Sequence, residues 1–176
     1  MERSTLPTAP GGAHRGAVAS AQGSLRSDAV ERTRAIGRRI GEAAAPGTVL
    51  ALVGALGAGK TQLAKGVAEG LGVPSVVNSP TFVLMNEHAG RLRLYHIDAY
   101  RLDDPEDAIA SGLIDERQAD GVVVVEWADR IRDWLPTNRI EVEIRTPSAA
   151  EDSRELQWSA IGDAHVWLAS VALRDR

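Results

Sequence analysis

A glycine-rich stretch, GALGAGKT at residues 54–61, constrains the fold of this chain more than any other feature. The run TVLALVG before it is short, aliphatic and β-branched, which predicts a strand buried on both faces. The run KTQLAKGVAEGLG after it is helical in character and stops at Gly72, a favourable residue for a helix C-terminus. The stretch matches G-x-x-x-x-G-K-[ST] at every defined position, between the strand and the helix that a phosphate-binding loop requires. We therefore predict a nucleotide site.

Each residue type in this stretch has a chemical task. Glycines let consecutive backbone N–H groups turn towards phosphate oxygens, and the N-terminus of the following helix adds its dipole to the same anion. Lys60 would reach the β and γ phosphates, and the Thr61 hydroxyl would bind Mg²⁺. The other interpretation is a glycine-rich turn that contains Lys-Thr by chance, and the flanking strand and helix disfavour it.

The stretch VVVVEW at residues 122–127 predicts a second buried strand that ends in a carboxylate and an indole. In phosphate-binding folds of this type a neighbouring strand places a carboxylate beside Mg²⁺, usually an aspartate. Glu126 is the first acidic residue after the valines and is our candidate for that ligand. The alternative is a charge at the strand end that faces solvent. Trp127 fits either a core position or an aromatic wall beside the nucleotide.

Two further stretches carry weaker signals. In NSPTF, the hydroxyl of Thr81 could contact a γ-phosphate, or the stretch could be an ordinary Ser-Pro turn. In HIDAYR, His96 and Asp98 fall on one face of a predicted strand. Zinc is disfavoured there because no third ligand of the usual type is nearby in the sequence. Asp98 fits a carboxylate near the attacking water, or a structural cap.

The remaining patterns predict the fold class. A capping box at Asp28 and Glu31 predicts the start of a first helix that ends before Pro46-Gly47. Asp104-Pro105 predicts another helix start, and ADRIRDWL a short helical piece. RIEVEIRT and RELQWSAIG alternate with period two, which predicts an antiparallel hairpin before a closing helix. We predict an α/β, three-layer domain of the P-loop NTPase type, with a mixed, mainly parallel sheet and a C-terminal antiparallel hairpin.

Composition limits the classes of protein that remain. The length of 176 residues fits one domain, which we place at residues 28–176, after a disordered N-terminal tail at 1–27. The chain has no cysteine, so we expect no disulfide partner, and it has no apolar run near the roughly 20 residues that cross a bilayer. We expect a cytoplasmic protein. A net charge of −4 disfavours direct binding of nucleic acid, which a partner would handle instead.

Taken together, these stretches resemble one family, the bacterial TsaE (YjeE) proteins. Family members carry G-x-L-G-A-G-K-T, then S-P-T-[FY], H-x-D-x-Y-R-L, E-W and a downstream L-P. This chain has GALGAGKT at 54–61, SPTF at 79–82, HIDAYRL at 96–102, EW at 126–127 and LP at 135–136. The resemblance covers roughly residues 28 to 172. It departs from the family at Ala55, where Asp is common, and at Ala128, where Pro is common.

The resemblance implies an ATPase that uses ATP and Mg²⁺ and serves tRNA modification. Such proteins bind the TsaD–TsaB pair, which places threonylcarbamoyl on the adenosine next to the anticodon in tRNAs that read codons beginning with A. The TsaE-like protein is not itself the transferase, and it meets tRNA only through the complex. Its ATP turnover is expected to be slow alone and to reset the complex between rounds.

The resemblance also implies roles for individual residues. Thr61 and Glu126 would be Mg²⁺ ligands, and Asp98, Lys60 and Thr81 catalytic residues. The residues expected to contact the nucleotide lie in the first helix, the glycine-rich loop, the E-W pair and the last hairpin: Thr33, Gly54, Leu56, Gly57, Ala58, Gly59, Lys60, Thr61, Gln62, Trp127, Arg154 and Glu155. Arg154-Glu155 align with a G-R-E-like contact in which Ser153 replaces the glycine.

Three other functions compete with this interpretation. A nucleotide or small-molecule kinase would need an acceptor site and an arginine-bearing lid, for which the acidic segment at 100–120 offers little. A GTP-dependent switch would carry an N-K-x-D stretch, which this sequence lacks. A nucleotide-gated binding module that barely hydrolyses ATP remains open.

Overall fold

The computed structural model describes residues 18–74, 77–78, 84–102, 104, 106, 110, 112, 114–147 and 153–174. Within these residues, seven strands form one sheet. The strands are β1 (Ser20–Ser27), β2 (Thr48–Val53), β3 (Met85–His88), β4 (Leu94–Asp98), β5 (Val122–Glu126), β6 (Ile140–Arg145) and β7 (Arg154–Ile161). The α-helices are α1 (Val30–Ala43), α2 (Lys60–Gly70) and α3 (Asp163–Ala172).

The sheet has the strand order β1-β7-β6-β2-β5-β4-β3. The four central strands, β6, β2, β5 and β4, run parallel to one another, whereas β1, β7 and β3 join antiparallel. The β6–β7 hairpin is the antiparallel pair that period-two alternation predicts. The predicted α/β class with a mixed sheet is confirmed. Since β2, β4 and β5 are parallel neighbours, their carboxyl ends meet at one edge of the sheet.

Two apolar layers sandwich the sheet. Helices α1, α2 and α3 cover one face, where α1 and α2 pack through close contacts between small residues. In the part of the chain that the structure describes, irregular and 3₁₀ segments contact the opposite face, among them the segment Ala128–Trp134. The core on that face is formed by alternate residues of the central strands, among them Val49, Ala51, Ile97, Val123 and Val125.

Helix α2 lies unusually close to helix α1 because both carry glycines four residues apart. Gly37 and Gly41 of α1 face Gly66 and Gly70 of α2. A Cβ atom added to Gly37 would collide with the backbone oxygen of Leu63, and one added to Gly66 would collide with that of Arg34. The glycines thus fix the helix that follows the phosphate-binding loop against the helix that carries Thr33.

The prediction of a disordered tail through residue 27 is wrong for residues 20–27. These residues form β1, which pairs antiparallel with β7 along its whole length. The strand escapes a sequence search because it is polar and mostly exposed, with only Leu25 and Ser27 buried. Residues 1–17 lie outside the described part of the chain.

The capping box at Asp28 and Glu31 is also wrong. Helix α1 begins at Val30, its N-cap is Ala29, and no side chain caps it. The nearby hydroxyl of Ser27 donates instead to the Ala29 carbonyl at 2.8 Å. The helix predicted at Asp104-Pro105 falls largely outside the described residues, although the Asp104 carboxylate does accept the backbone N–H of Glu106 at 2.9 Å. No helix in the described part of the chain is long and apolar enough to span a membrane.

Candidate nucleotide-binding site

The glycine-rich loop connects the end of β2 to the start of α2, as predicted. Gly59 is the N-cap of α2 and has a left-handed backbone with φ +113°. Gly54 has φ +153°, and a Cβ atom there would lie 2.5 Å from the Ile144 backbone oxygen of the neighbouring strand β6. The loop therefore requires glycine at both positions. The first turn of α2 presents N–H groups that have no acceptor within the helix, as anion binding requires.

Lys60 is buried at the centre of the loop. Its Nζ donates to the carbonyl oxygens of Gly54 at 2.6 Å and Ala55 at 2.9 Å. The same Nζ lies 3.6 Å from the ring centroid of Trp127. Burial lowers the pKa of Lys60, and the nearby carboxylates, chiefly Glu126, oppose that shift. The ammonium is thus held against the carbonyl oxygens of its own loop.

Glu126 ends β5 and turns towards α2 rather than towards solvent, with only 2 % of its surface exposed. Its Oε2 accepts the hydroxyl of Thr61 at 2.8 Å. Its Oε1 lies 2.8 Å from Nε2 of His96, which is fully buried on β4. The solvent-facing alternative for Glu126 is therefore wrong. The structure brings the predicted Mg²⁺ ligands Thr61 and Glu126 into direct contact.

Asp98 lies beside Glu126, because the two residues are register partners in the parallel β4–β5 pair. Burial raises the pKa of Asp98, the charge of Glu126 adds to that rise, and a bond from the Tyr100 backbone N–H opposes it. That bond, 2.9 Å long at Oδ1, caps the 3₁₀ turn Ala99–Arg101. Asp98 is therefore both a structural cap and a carboxylate at the edge of the site. Thr81 lies outside the described residues.

Trp127 has a left-handed backbone, with φ 57° and ψ 40°, which is uncommon for a residue other than glycine. The Lys60 ammonium lies over the Trp127 ring, and the Trp127 ring centroid lies 4.8 Å from that of Tyr100. Arg130 in turn lies over the Tyr100 ring at 5.7 Å. The indole also packs on the edge of the apolar core, as the core interpretation of Trp127 expects, and an aromatic wall beside a nucleotide stays a prediction.

A pocket of about 460 Å³ opens beside the loop, between α1 and α2. It is lined by Asp28, Ala29, Val30, Glu31, Thr33, Gly57, Gly59, Gln62 and Arg154. Its volume falls in the range of small-molecule sites. The structure thus brings Thr33, Gln62 and Arg154 together beside the glycines of the loop. A Cβ atom on Gly57 would meet open space, so the loop itself faces the pocket.

Three of the lining residues are hydrogen-bonded to neighbours outside the pocket. The Thr33 hydroxyl lies 2.8 Å from the Ser27 hydroxyl, which joins α1 to the end of β1. Gln62 accepts from Nε of Arg34 at 2.8 Å. Arg154 Nε donates to the Ala58 carbonyl of the loop at 2.9 Å, which ties β7 to the site.

Several predicted nucleotide contacts do not line this pocket: Gly54, Leu56, Ala58, Lys60, Thr61, Trp127 and Glu155. Glu155 follows Arg154 on β7 and lies instead in a groove with Glu141 and Glu143, since successive strand residues point to opposite faces. The structure does not bring Glu155 to the loop. Leu56, at the tip of the loop, is 83 % exposed.

Sequence reasoning gave Ser27 no role in the site, and it considered His96 only as a disfavoured zinc ligand. The bond from His96 to Glu126 could have been anticipated, because His96 shares a strand face with Asp98. Ser27 gave no such signal, since its strand was not predicted.

Comparison with known proteins gives a consistent result. A family model described as "Threonylcarbamoyl adenosine biosynthesis protein TsaE" matches residues 27–156. The protein from Bacillus subtilis named tRNA threonylcarbamoyladenosine biosynthesis protein TsaE is 43% identical over 145 residues, covering 82% of this chain and 89% of that protein. Its namesake from Treponema pallidum is 38% identical over 130 residues, covering 74% and 95%. The crystal structure of Bacillus subtilis YdiB superposes with a TM-score of 0.71 at 36% identity, covering 89% of this chain and 97% of that one.

Proposed function

The chain belongs to the TsaE family, with a role in tRNA threonylcarbamoyladenosine biosynthesis, and we propose that it is a Mg²⁺-dependent ATPase of that pathway. The observation that carries this proposal is the contact between Thr61 and Glu126 beside the buried Lys60. A hydroxyl and a carboxylate are hard oxygen ligands of the kind that Mg²⁺ prefers. An ammonium next to them supplies a positive charge for phosphate oxygens.

The pocket beside the loop supports a nucleotide rather than inorganic phosphate alone. It continues from Gly57 and Gly59 to Thr33 and Arg154, so a base could lie there while the phosphates contact the loop. The nearest atom to a Cβ on Gly59 is Thr33 Cγ2 at 4.0 Å, which leaves the loop backbone accessible from this side. Which base the pocket accepts follows from the family: we propose adenine.

The residues of the site divide the hydrolytic work between them. Lys60 would exchange its bonds with the Gly54 and Ala55 carbonyls for bonds with β and γ phosphate oxygens. Asp98 lies at the edge of the site and has a raised pKa. It would orient the attacking water or accept a proton from it. Thr81 would be a second polar contact of that water. Thr61 and Glu126 would hold Mg²⁺, which when bound offsets negative charge on the phosphate oxygens.

We propose that turnover is slow until protein partners bind. Fast phosphoryl transfer also needs a cation on the developing charge, and in related enzymes an added arginine contributes about 10³- to 10⁵-fold in rate. The two arginines near the site already make other contacts, because Arg154 is bonded to the Ala58 carbonyl and Arg130 lies over Tyr100. A partner protein would therefore supply the cation. The TsaD–TsaB pair is the proposed partner, in the cytoplasm, and with a net charge of −4 the chain would meet tRNA only through that complex.

Calorimetry with a non-hydrolysable ATP analogue and Mg²⁺ tests the proposed site. Lys60→Ala should weaken binding at least about tenfold, because a charge-assisted bond contributes roughly 1.5–3 kcal/mol. Lys65→Ala is the matched control, since Lys65 lies on the same helix outside the pocket and should bind as the wild type does. Affinity of the Lys60→Ala protein within about twofold of the wild type would exclude the assignment. A phosphotransfer assay with nucleosides as acceptors distinguishes the ATPase from the kinase alternative, because only a kinase would transfer phosphate to them.

A further inference from the structure

Both oxygens of the Glu126 carboxylate are occupied by different partners. Oε2 accepts the Thr61 hydroxyl at 2.8 Å, and Oε1 lies 2.8 Å from Nε2 of His96. The last torsion of a glutamate side chain is broad and does not fix the carboxylate plane by itself. The contacts with Thr61 and His96 hold Oε2 towards the first turn of α2 and Oε1 towards β4.

His96 is placed for this contact by the sheet register. In the parallel β4–β5 pair, His96 is the register partner of Val124 and Asp98 is that of Glu126. Val124 and Glu126 are two residues apart and lie on the same face of β5, so His96 is within reach of the Glu126 side chain. The side chain is fully buried. A carboxylate can only accept, so Nε2 carries the proton and donates it to Oε1. The donor comes from a strand, which is a rigid support.

The other ring nitrogen of His96 gives no reason for a histidine at this buried position. Nδ1 of His96 is buried and has no hydrogen-bond partner among the residues that the structure describes. Burying a polar atom without a partner costs free energy. An apolar side chain would fill the same space in the core without that cost. An apolar side chain could not, however, donate a hydrogen bond to Glu126 as His96 does.

We propose that His96 is a positioning residue, which orients the Glu126 carboxylate so that its Oε2 edge, together with the Thr61 hydroxyl, faces the metal position. This inference rests on the proposed Mg²⁺-dependent ATP binding. Partners that orient a ligand in this way commonly alter metal affinity or activity by about 10- to 100-fold when they are removed. His96 would touch neither the nucleotide nor the metal.

The test compares variants that differ in whether a donor reaches Oε1. His96→Gln carries an amide N–H at about the position of Nε2. His96→Asn carries the same amide one methylene shorter, and His96→Leu fills the space without a donor. The full chain is titrated with a non-hydrolysable ATP analogue over a range of Mg²⁺ concentrations and also in EDTA, and melting temperatures are recorded.

We expect the Asn and Leu variants to need about tenfold more Mg²⁺ for half-maximal tight binding, while the Gln variant stays within about threefold of the wild type. Affinity in EDTA should be the same for all four proteins, because His96 acts only through a metal ligand. If the Leu variant does not fold, the Asn variant decides, since it buries the same polar group as the Gln variant.

His165 provides a control for loss of a buried histidine elsewhere. It lies on α3 and its Nε2 accepts the backbone N–H of Val49 at 3.1 Å, near the start of β2 and far along the strand from the loop. His165→Asn should lower the melting temperature and leave the Mg²⁺ requirement unchanged.

Two results would overturn the inference. A wild-type Mg²⁺ requirement in the Asn and Leu variants would show that Glu126 needs no positioning by His96. Equal losses of affinity with Mg²⁺ and in EDTA would show that the role of His96 is structural. If the wild type itself binds the analogue equally with and without Mg²⁺, the proposed function fails, and the inference with it.

Discussion

The glycines between α1 and α2 allow a prediction of opposite sign to the usual effect of glycine in a helix. Alanine is favoured over glycine in a helix interior by about 0.8–1.0 kcal/mol. Gly37→Ala should nonetheless destabilise the protein, because the new Cβ would collide with the Leu63 oxygen and would lie 3.0 Å from both the Gly66 Cα and the Val67 N. All three atoms are backbone, so no side-chain rotation can relieve the contact.

The two effects can be compared in magnitude. Overpacking a well-packed core costs about 1–3 kcal/mol, and a contact with rigid backbone belongs at the upper part of that range. Subtracting the gain in helix propensity leaves a net loss of about 1–2 kcal/mol. For a chain of this size each kcal/mol lowers the melting temperature by about 2–4 °C, so we expect a fall of roughly 2–8 °C.

Thermal melting by circular dichroism measures this fall. Ala35→Gly is the matched control, since Ala35 is exposed on the same helix and reports the propensity difference without the contact. It should destabilise by about 1 kcal/mol. A Gly37→Ala protein that melts at or above the wild-type temperature would refute the argument, because it would show that α1 and α2 separate at no cost.

Three further predictions concern other parts of the molecule. Trp127→Ala should weaken the stimulation of ATP turnover by the TsaD–TsaB pair more than it weakens ATP binding, because its ring joins Lys60 to the exposed Tyr100; equal losses in the two assays would contradict this. Burial lowers the pKa of His165 below its ordinary value of 6.5, so the unfolded chain binds a proton more readily than the folded one. Stability should therefore fall as the pH drops below about 6.5, and in urea unfolding His165→Asn should show a shallower fall, whereas an unchanged slope would exclude His165 as the cause. Deleting residues 1–17 should leave the melting temperature unchanged, whereas deletion through Ser27 should lower it, because β7 would lose its antiparallel partner; identical melting of both truncated proteins would show that β1 contributes nothing.

The central strands and the loop were predictable because their chemistry limits the choice of residues. A phosphate-binding loop needs glycines at fixed positions between a strand and a helix, and Gly54 and Gly59 have the positive φ values that this requires. Buried parallel strands consist of apolar runs, as at Val122–Val125, so the first charge after such a run marks the edge of the sheet. Glu126 could be placed beside Thr61 from these two facts.

The parts that were missed depend on contacts distant in sequence. Strand β1 has few apolar residues, and its register comes entirely from β7, more than a hundred residues later in the chain. Its exposed positions carry the polar composition that also indicates disorder. The separation of Arg154 from Glu155 was available from the strand period, but the family resemblance had assigned both to the nucleotide. The left-handed backbone of Trp127 follows from the turn into the 3₁₀ segment, and no residue in the sequence signals it.

ATP hydrolysis by the full chain, measured alone and then with the TsaD–TsaB pair, tests the central claim most directly. We predict turnover well below about one per second for the chain alone, compared with an enzyme median of about ten. The rate should rise markedly when the pair is added and should be lost in the Lys60→Ala protein under both conditions. Fast hydrolysis by the chain alone that the pair does not change, or hydrolysis that survives Lys60→Ala, would contradict the account.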